Sequence, residues 1–177
     1  MTTAEWILNC ALLGWVLTRN LGTRPVTRST YTVPLLVVVI AAGIYLRDIP
    51  GDGNDHAVEL LGALAGVVFG LAATAFTRVS PGQGGHVVAR AGVAFAAVWI
   101  VAIGGRIAFA ELATHSWGPA VGRFSIAHQI TGADAWRAAF VLMALAMVVT
   151  RVATTALRAR RCRTASASQV ALGSSTA

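Results

Sequence analysis

Five apolar stretches separated by short polar connections run along the chain, at about 4–21, 32–46, 57–77, 87–110 and 135–155. A helix needs roughly 20 predominantly apolar residues to cross about 30 Å of hydrocarbon, and these stretches approach or reach that length. The first is interrupted by Asn9 and Cys10, with Trp6 and Trp15 placed as interfacial or packing aromatics. The second is short, and Pro34 lies in its first turn, where a missing N–H costs least. Between the fourth and fifth stretches, 114–134 holds His115, Trp117, Gly118, Pro119, Arg123, Phe124 and His128. Its turn residues and mixed polarity predict an ordered loop with a short interfacial helix, not a sixth crossing. The expected fold is therefore all-α, a polytopic membrane bundle of five transmembrane helices forming one domain over 1–160. Residues 161–177, basic and rich in Ser and Ala, read as a disordered cytoplasmic tail.

Charge orients this bundle. The seven carboxylates, Glu5, Asp48, Asp52, Asp55, Glu59, Glu111 and Asp134, fall at alternate ends of the apolar stretches. Arg19, Arg24 and Arg28 occupy the first connection, Arg78 and Arg90 bracket the third, and Arg151, Arg158, Arg160, Arg161 and Arg163 fill the end of the chain. Short cytoplasmic connections are enriched in Lys and Arg, so these ends belong inside and the acidic ends outside. The N-terminus is then outside, the C-terminus inside, and the location a bacterial inner membrane. Glu5, with no basic residue near it, argues against a cleaved signal peptide.

Composition narrows the chemistry. Charged residues are 12% and hydrophobic residues 56%, against about 25% charged in soluble domains. The net charge of +7 comes from the inner arginines, which points to the anionic inner leaflet as partner and away from nucleic acid. Lysine is absent, which excludes Schiff-base chemistry and a P-loop. Cys10 and Cys162 belong to opposite ends and cannot meet within one chain. His86 is inside while His56, His115 and His128 are outside; none sits mid-span and no spacing matches a zinc motif, so no metal or other cofactor is expected.

Small residues predict the packing. Gly62, Gly66 and Gly70, four apart, form a glycine zipper on one face of the third span, and Gly92, Ala96 and Gly104 make a similar face on the fourth. With a short connection at 80–85, these two antiparallel helices are the expected neighbours. Glu59 and Glu111 continue the two faces outward. Arg106 lies about a turn inside the outer end of the fourth span, on the Phe95, Trp99, Ala102 face, where an unpaired charge is expensive. Glu59, Glu5 and Asp134 lie at the right depth to pair with it, Glu59 foremost, giving a polar cluster at the outer end.

The order of features resembles the CcdC-like family of small bacterial membrane proteins. The resemblance rests on Arg24, Arg28 and Pro34, the stretch Gly66-Val67-Val68-Phe69-Gly70 closed by Arg78, Arg106 late in the fourth span, and a last span running from Trp136-Arg137 to Arg151. It covers most of 19–160 and implies the architecture. Cytochrome c maturation, which the family name implies, has no thiol pair or haem motif here.

Three functional classes follow. The first is a non-catalytic accessory or interaction protein with a membrane-protein partner. The second is an embedded enzyme acting on a lipidic or isoprenoid substrate, such as a terpene cyclase. There Arg19, Arg24, Arg28, Arg78 and Arg90 would hold a phosphate or diphosphate headgroup while Glu59 or Glu111 protonates an alkene or epoxide. The third is a small transporter.

Overall fold

The computed structural model describes residues 22–45, 53–82 and 87–174, with side chains through Thr164, and the isolated helical positions Ile7, Ala11, Gly14 and Thr18. The first expected span otherwise lies outside the described residues, as do Glu5, Cys10, Arg19, Asp48, Asp52 and His86. The elements run β1 (Gly22–Pro25), α1 (Ser29–Tyr45), α2 (Asp55–Ala75), β2 (Thr77–Pro81), β3 (Val87–Ala91), α3 (Val93–Thr114), α4 (Gly118–Ala127) and α5 (Ala133–Ser174). The chain is mostly helical, and α2, α3 and the 133–164 part of α5 are each long and apolar enough to cross a membrane. Helix α1 is apolar but shorter. Large apolar side chains stand exposed along these helices, among them Val39, Leu61 and Val68 at 64% to 67%, as lipid-facing surface would.

The all-α expectation is corrected by a three-stranded antiparallel sheet of order β1-β3-β2. It takes residues 87–91 out of the expected fourth span. Val87, Ala89 and Ala91 alternate with Val88 and Arg90, a period of two that suits a strand with one covered face. Val79 pairs with Ala89 and Thr77 with Ala91, while Arg24 opposite Ala89 and Gly22 opposite Ala91 place β1 on the other side. Val26 N–H donates to the Val87 carbonyl at 2.8 Å and extends the ladder.

Helix α5 covers the inward face of the sheet. Its 42 residues make about 63 Å of helix, roughly twice the hydrocarbon thickness, so its second half projects past the apolar region. There Ala159 packs with Val26 and Val87, and Tyr31, Val79, Ala89 and Cys162 close around them. The helix runs on to Ser174, through the first part of the expected tail, and Cys162 meets the sheet by apolar contact.

The glycine face of α2 meets α5 and not α3, a second correction. A Cβ built on Gly62 would lie 2.3 Å from the Ala139 carbonyl oxygen, one on Gly66 2.1 Å from that of Met143, and one on Gly70 2.7 Å from that of Met147. Both series rise by four, so the helices run parallel with their backbones in contact. Thr74 Oγ1 and Thr154 Oγ1 hydrogen-bond at 2.7 Å further along the same seam. On α3, by contrast, a Cβ at Gly92 or Gly104 would meet nothing within 4 Å. That helix packs through its aromatic face: Phe95, Trp99 and Ala102 join Ala73, Ala91 and Met147 in one buried cluster. The reason is steric, since carbonyls of α5 need a partner without side chains, whereas α3 offers bulk that fills a wider gap.

Helix α4 lies between the fourth and fifth expected spans, where a short helix is expected, and it caps the acidic end. Trp136 Nε1 donates to Ser125 Oγ at 3.2 Å, and Phe109 stacks at a tilt against Trp136 and Phe140 at about 5 Å between centroids. The segment after α4 docks on the start of α2. Asn54 N–H donates to the Gln129 carbonyl at 2.9 Å, and Gly53, at φ +62°, lies so close to that carbonyl that any side chain would collide with it.

Candidate functional site

At the acidic end the described carboxylates are engaged within their own helices or by the capping loop. Glu59, 7% exposed, receives His56 Nδ1 on Oε2 at 3.2 Å, while its Oε1 is buried with no hydrogen-bond partner among the described residues. Glu111 Oε1 lies 3.7 Å from His115 Nδ1, and Asp134 pairs with Arg137. Each pair joins positions three or four apart, the spacing of helical neighbours. Glu59 and Arg106, both described, form no ion pair with one another; Glu59 takes His56 instead. Arg106 continues the Phe95, Trp99, Ala102 face as its spacing predicts, and it has interactions of its own. The expected cluster of Arg106 with Glu5 falls partly outside the described residues.

Asp55 is the acidic residue that sequence reasoning left out of this site. It is fully buried at the first residue of α2, where the helix dipole favours an anion, and it accepts hydrogen bonds from Thr131 N–H at 2.8 Å and from Thr131 Oγ1. Its role is to tie the capping loop to α2. An acid in a first helical turn was a visible signal, but its partner is 76 positions away.

The basic end is assembled differently. The register places Thr23, Arg90 and Arg78 side by side across the three strands, so two guanidinium groups stand directly opposite on the outward face of the sheet. Like charges in that relation repel unless an anion lies between or above them. The sequence offers none: no Asp or Glu occurs in 60–110 or after Asp134. Arg24 turns toward the preceding segment, its Nη2 donating to the Thr18 carbonyl at 3.1 Å, and Arg28 contributes its carbonyl to the first turn of α1. Arg19 lies outside the described residues.

Arg158 and Arg161 approach the same strand from α5. Arg158 Nη1 donates to the carbonyls of Thr74 at 2.6 Å and Thr77 at 3.2 Å, satisfying the end of α2 with a positive charge at its negative pole. One turn on, Arg161 projects beside it. Thr77, Arg78, Val79 and Ser80 along the edge strand β2 line an open groove of about 550 Å³ together with these two arginines. Arg160 and Arg163 lie near Tyr31; burial raises that phenol's pKa, against the opposing pull of Arg163 and Arg160. Of the expected headgroup residues, Arg78 and Arg90 thus share one sheet face, whereas Arg24 and Arg28 serve neighbouring backbone. Arg158 and Arg161 were read as topology signals alone, because their proximity to β2 depends on a sheet that the apolar pattern conceals. No protein family, curated protein or solved structure matches the chain.

Proposed function

We propose that the chain is a five-span protein of the bacterial inner membrane, N-terminus outside and C-terminus inside, acting as a non-catalytic accessory subunit anchored at its inner end on anionic lipid. The observation that carries this reading is the concentration of arginine on one sheet and one helix end with no carboxylate nearby in sequence, opposite an end where Asp55, Glu59, Glu111 and Asp134 gather. An uncompensated basic end is stable against a negatively charged leaflet, where each basic residue contributes roughly 1 kcal/mol. The experiment is cysteine accessibility in intact cells, with Cys10 and Cys162 replaced by alanine. Ser116→Cys should label from outside and Ser80→Cys only after the membrane is opened. Equal labelling of the two would overturn the orientation.

A second reading, the embedded enzyme acting on a lipidic or isoprenoid chain, draws support from Glu59 alone. Its buried Oε1 with no described partner is the kind of atom a proton donor would present to an apolar substrate. Retention of a prenyl compound by the purified protein, with loss of its turnover in Glu59→Gln, would favour this reading over the accessory one.

A further inference from the structure

We propose that the groove between β2 and the basic half of α5 is a discrete phosphate-binding site, for a phosphate carried on a lipid headgroup or free in solution. The inference rests on the five-span reading only in placing the groove at the inner membrane surface. Three arginines line it: Arg158 and Arg161 from the helix, and Arg78 at its rim from the outward side of the edge strand. Arg158 is held in place because Nη1 is bound to Thr74 and Thr77, which leaves its other guanidinium N–H groups for a ligand. Among the described residues neither the Arg78 nor the Arg161 side chain donates a hydrogen bond or enters an ion pair. Guanidinium groups present planar forks that match phosphate oxygens bidentately. Ser80 adds a hydroxyl donor, and β2 is an edge strand, so alternate amides along it are not used by β3.

The groove also suits a lipid. Phe76, 51% exposed, and Leu157, 53% exposed, flank it in sequence, and Leu157 lies one turn before Arg161 on the same face of α5. An acyl chain would then follow apolar surface toward the membrane while its phosphate meets the arginines.

The test is native mass spectrometry of the full chain released from nanodiscs of phosphatidylglycerol or phosphatidylcholine, paired with titration of inorganic phosphate in detergent. Retained phosphatidylglycerol that phosphate does not displace identifies a lipid headgroup; saturable phosphate binding identifies a free anion. Either supports the site. The double variant Arg78→Gln/Arg161→Gln should bind about thirtyfold more weakly, roughly fivefold for each basic residue that faces the anion. Arg160→Gln/Arg163→Gln removes the same charge from the same end of the molecule, at positions that do not line the groove, and should bind as the wild type does. Equal loss in both doubles would show diffuse surface electrostatics and overturn the site, as would unchanged binding in Arg78→Gln/Arg161→Gln. Since this binding is measured on purified protein, a wrong orientation in cells would show in the labelling of Ser80→Cys and leave the binding result standing.

Discussion

Asp55 and Glu59, four positions apart in the first turns of one helix, illustrate how burial divides two identical carboxylate chemistries. Asp55 is fully buried yet doubly bonded by Thr131, so its charge is compensated by donors. Asp55→Ala should therefore lower stability in detergent by about 1–3 kcal/mol, because Thr131 N–H is left without its acceptor. An unchanged denaturation midpoint would show that the loop docks through Asn54 and Gly53 alone. Glu59 is bound on one oxygen only, by His56. Glu59→Gln should leave the folded state intact, since the amide can still meet the imidazole; a collapse of folded protein on size-exclusion chromatography would make the charge itself structural. The sequence placed both acids at the carboxylate-bearing end of their helix, and only Glu59 in a candidate site. Their partners were not legible there, because a loop more than 70 residues away supplies one and a local helical neighbour the other.

Between elements, the decisive contact is the parallel seam of α2 and α5. Gly66→Leu must push the helices apart, since even a Cβ would lie 2.1 Å from the Met143 carbonyl oxygen and 2.9 Å from the Ala146 Cβ. A loss of roughly 1–3 kcal/mol is the usual cost of such overpacking, read as a fall in the thermal midpoint. Gly104→Ala meets open space on α3 and should be neutral or stabilising by up to about 1 kcal/mol, from helix propensity. If both variants behaved alike, the packing described here would be wrong. The glycine spacing was readable in the chain, but its partner was not. Chain proximity favoured α3 as the antiparallel neighbour, yet the strands β2 and β3 occupy the connection, and the residues of α5 that approach the glycines are recognisable only by their backbone carbonyls.

Over the whole molecule, charge asymmetry and packing act at different places. If arginines set the orientation, replacing Arg160, Arg161 and Arg163 with Gln should raise the fraction of molecules whose Ser80→Cys labels from outside. The folded core should survive, because Ala159 and Cys162 remain to pack on the sheet. No change in labelling would assign the orientation to Arg78, Arg90 and the first connection. The long α5 links the two ends, contributing Trp136 to the cap, Ala139 to Met147 to the seam and Arg158 to the groove.

Hydrophobic run length and the segregation of acid from arginine are one-dimensional properties, and from them the sequence alone determined a mostly helical chain with span-length apolar helices and two ends of opposite charge. These patterns survive any arrangement of the helices, since each segment must satisfy its own backbone in an apolar medium. Only the tertiary structure decided which helix the glycines meet, that 87–91 pairs as a strand, and that Arg158 and Arg161 line one groove with Arg78. Those outcomes depend on backbone approach and strand pairing between distant residues. Valine and alanine at 87–91 suit an apolar helix as well as a half-covered strand, and the hydrogen bonds offered by β1 and β2 choose the strand.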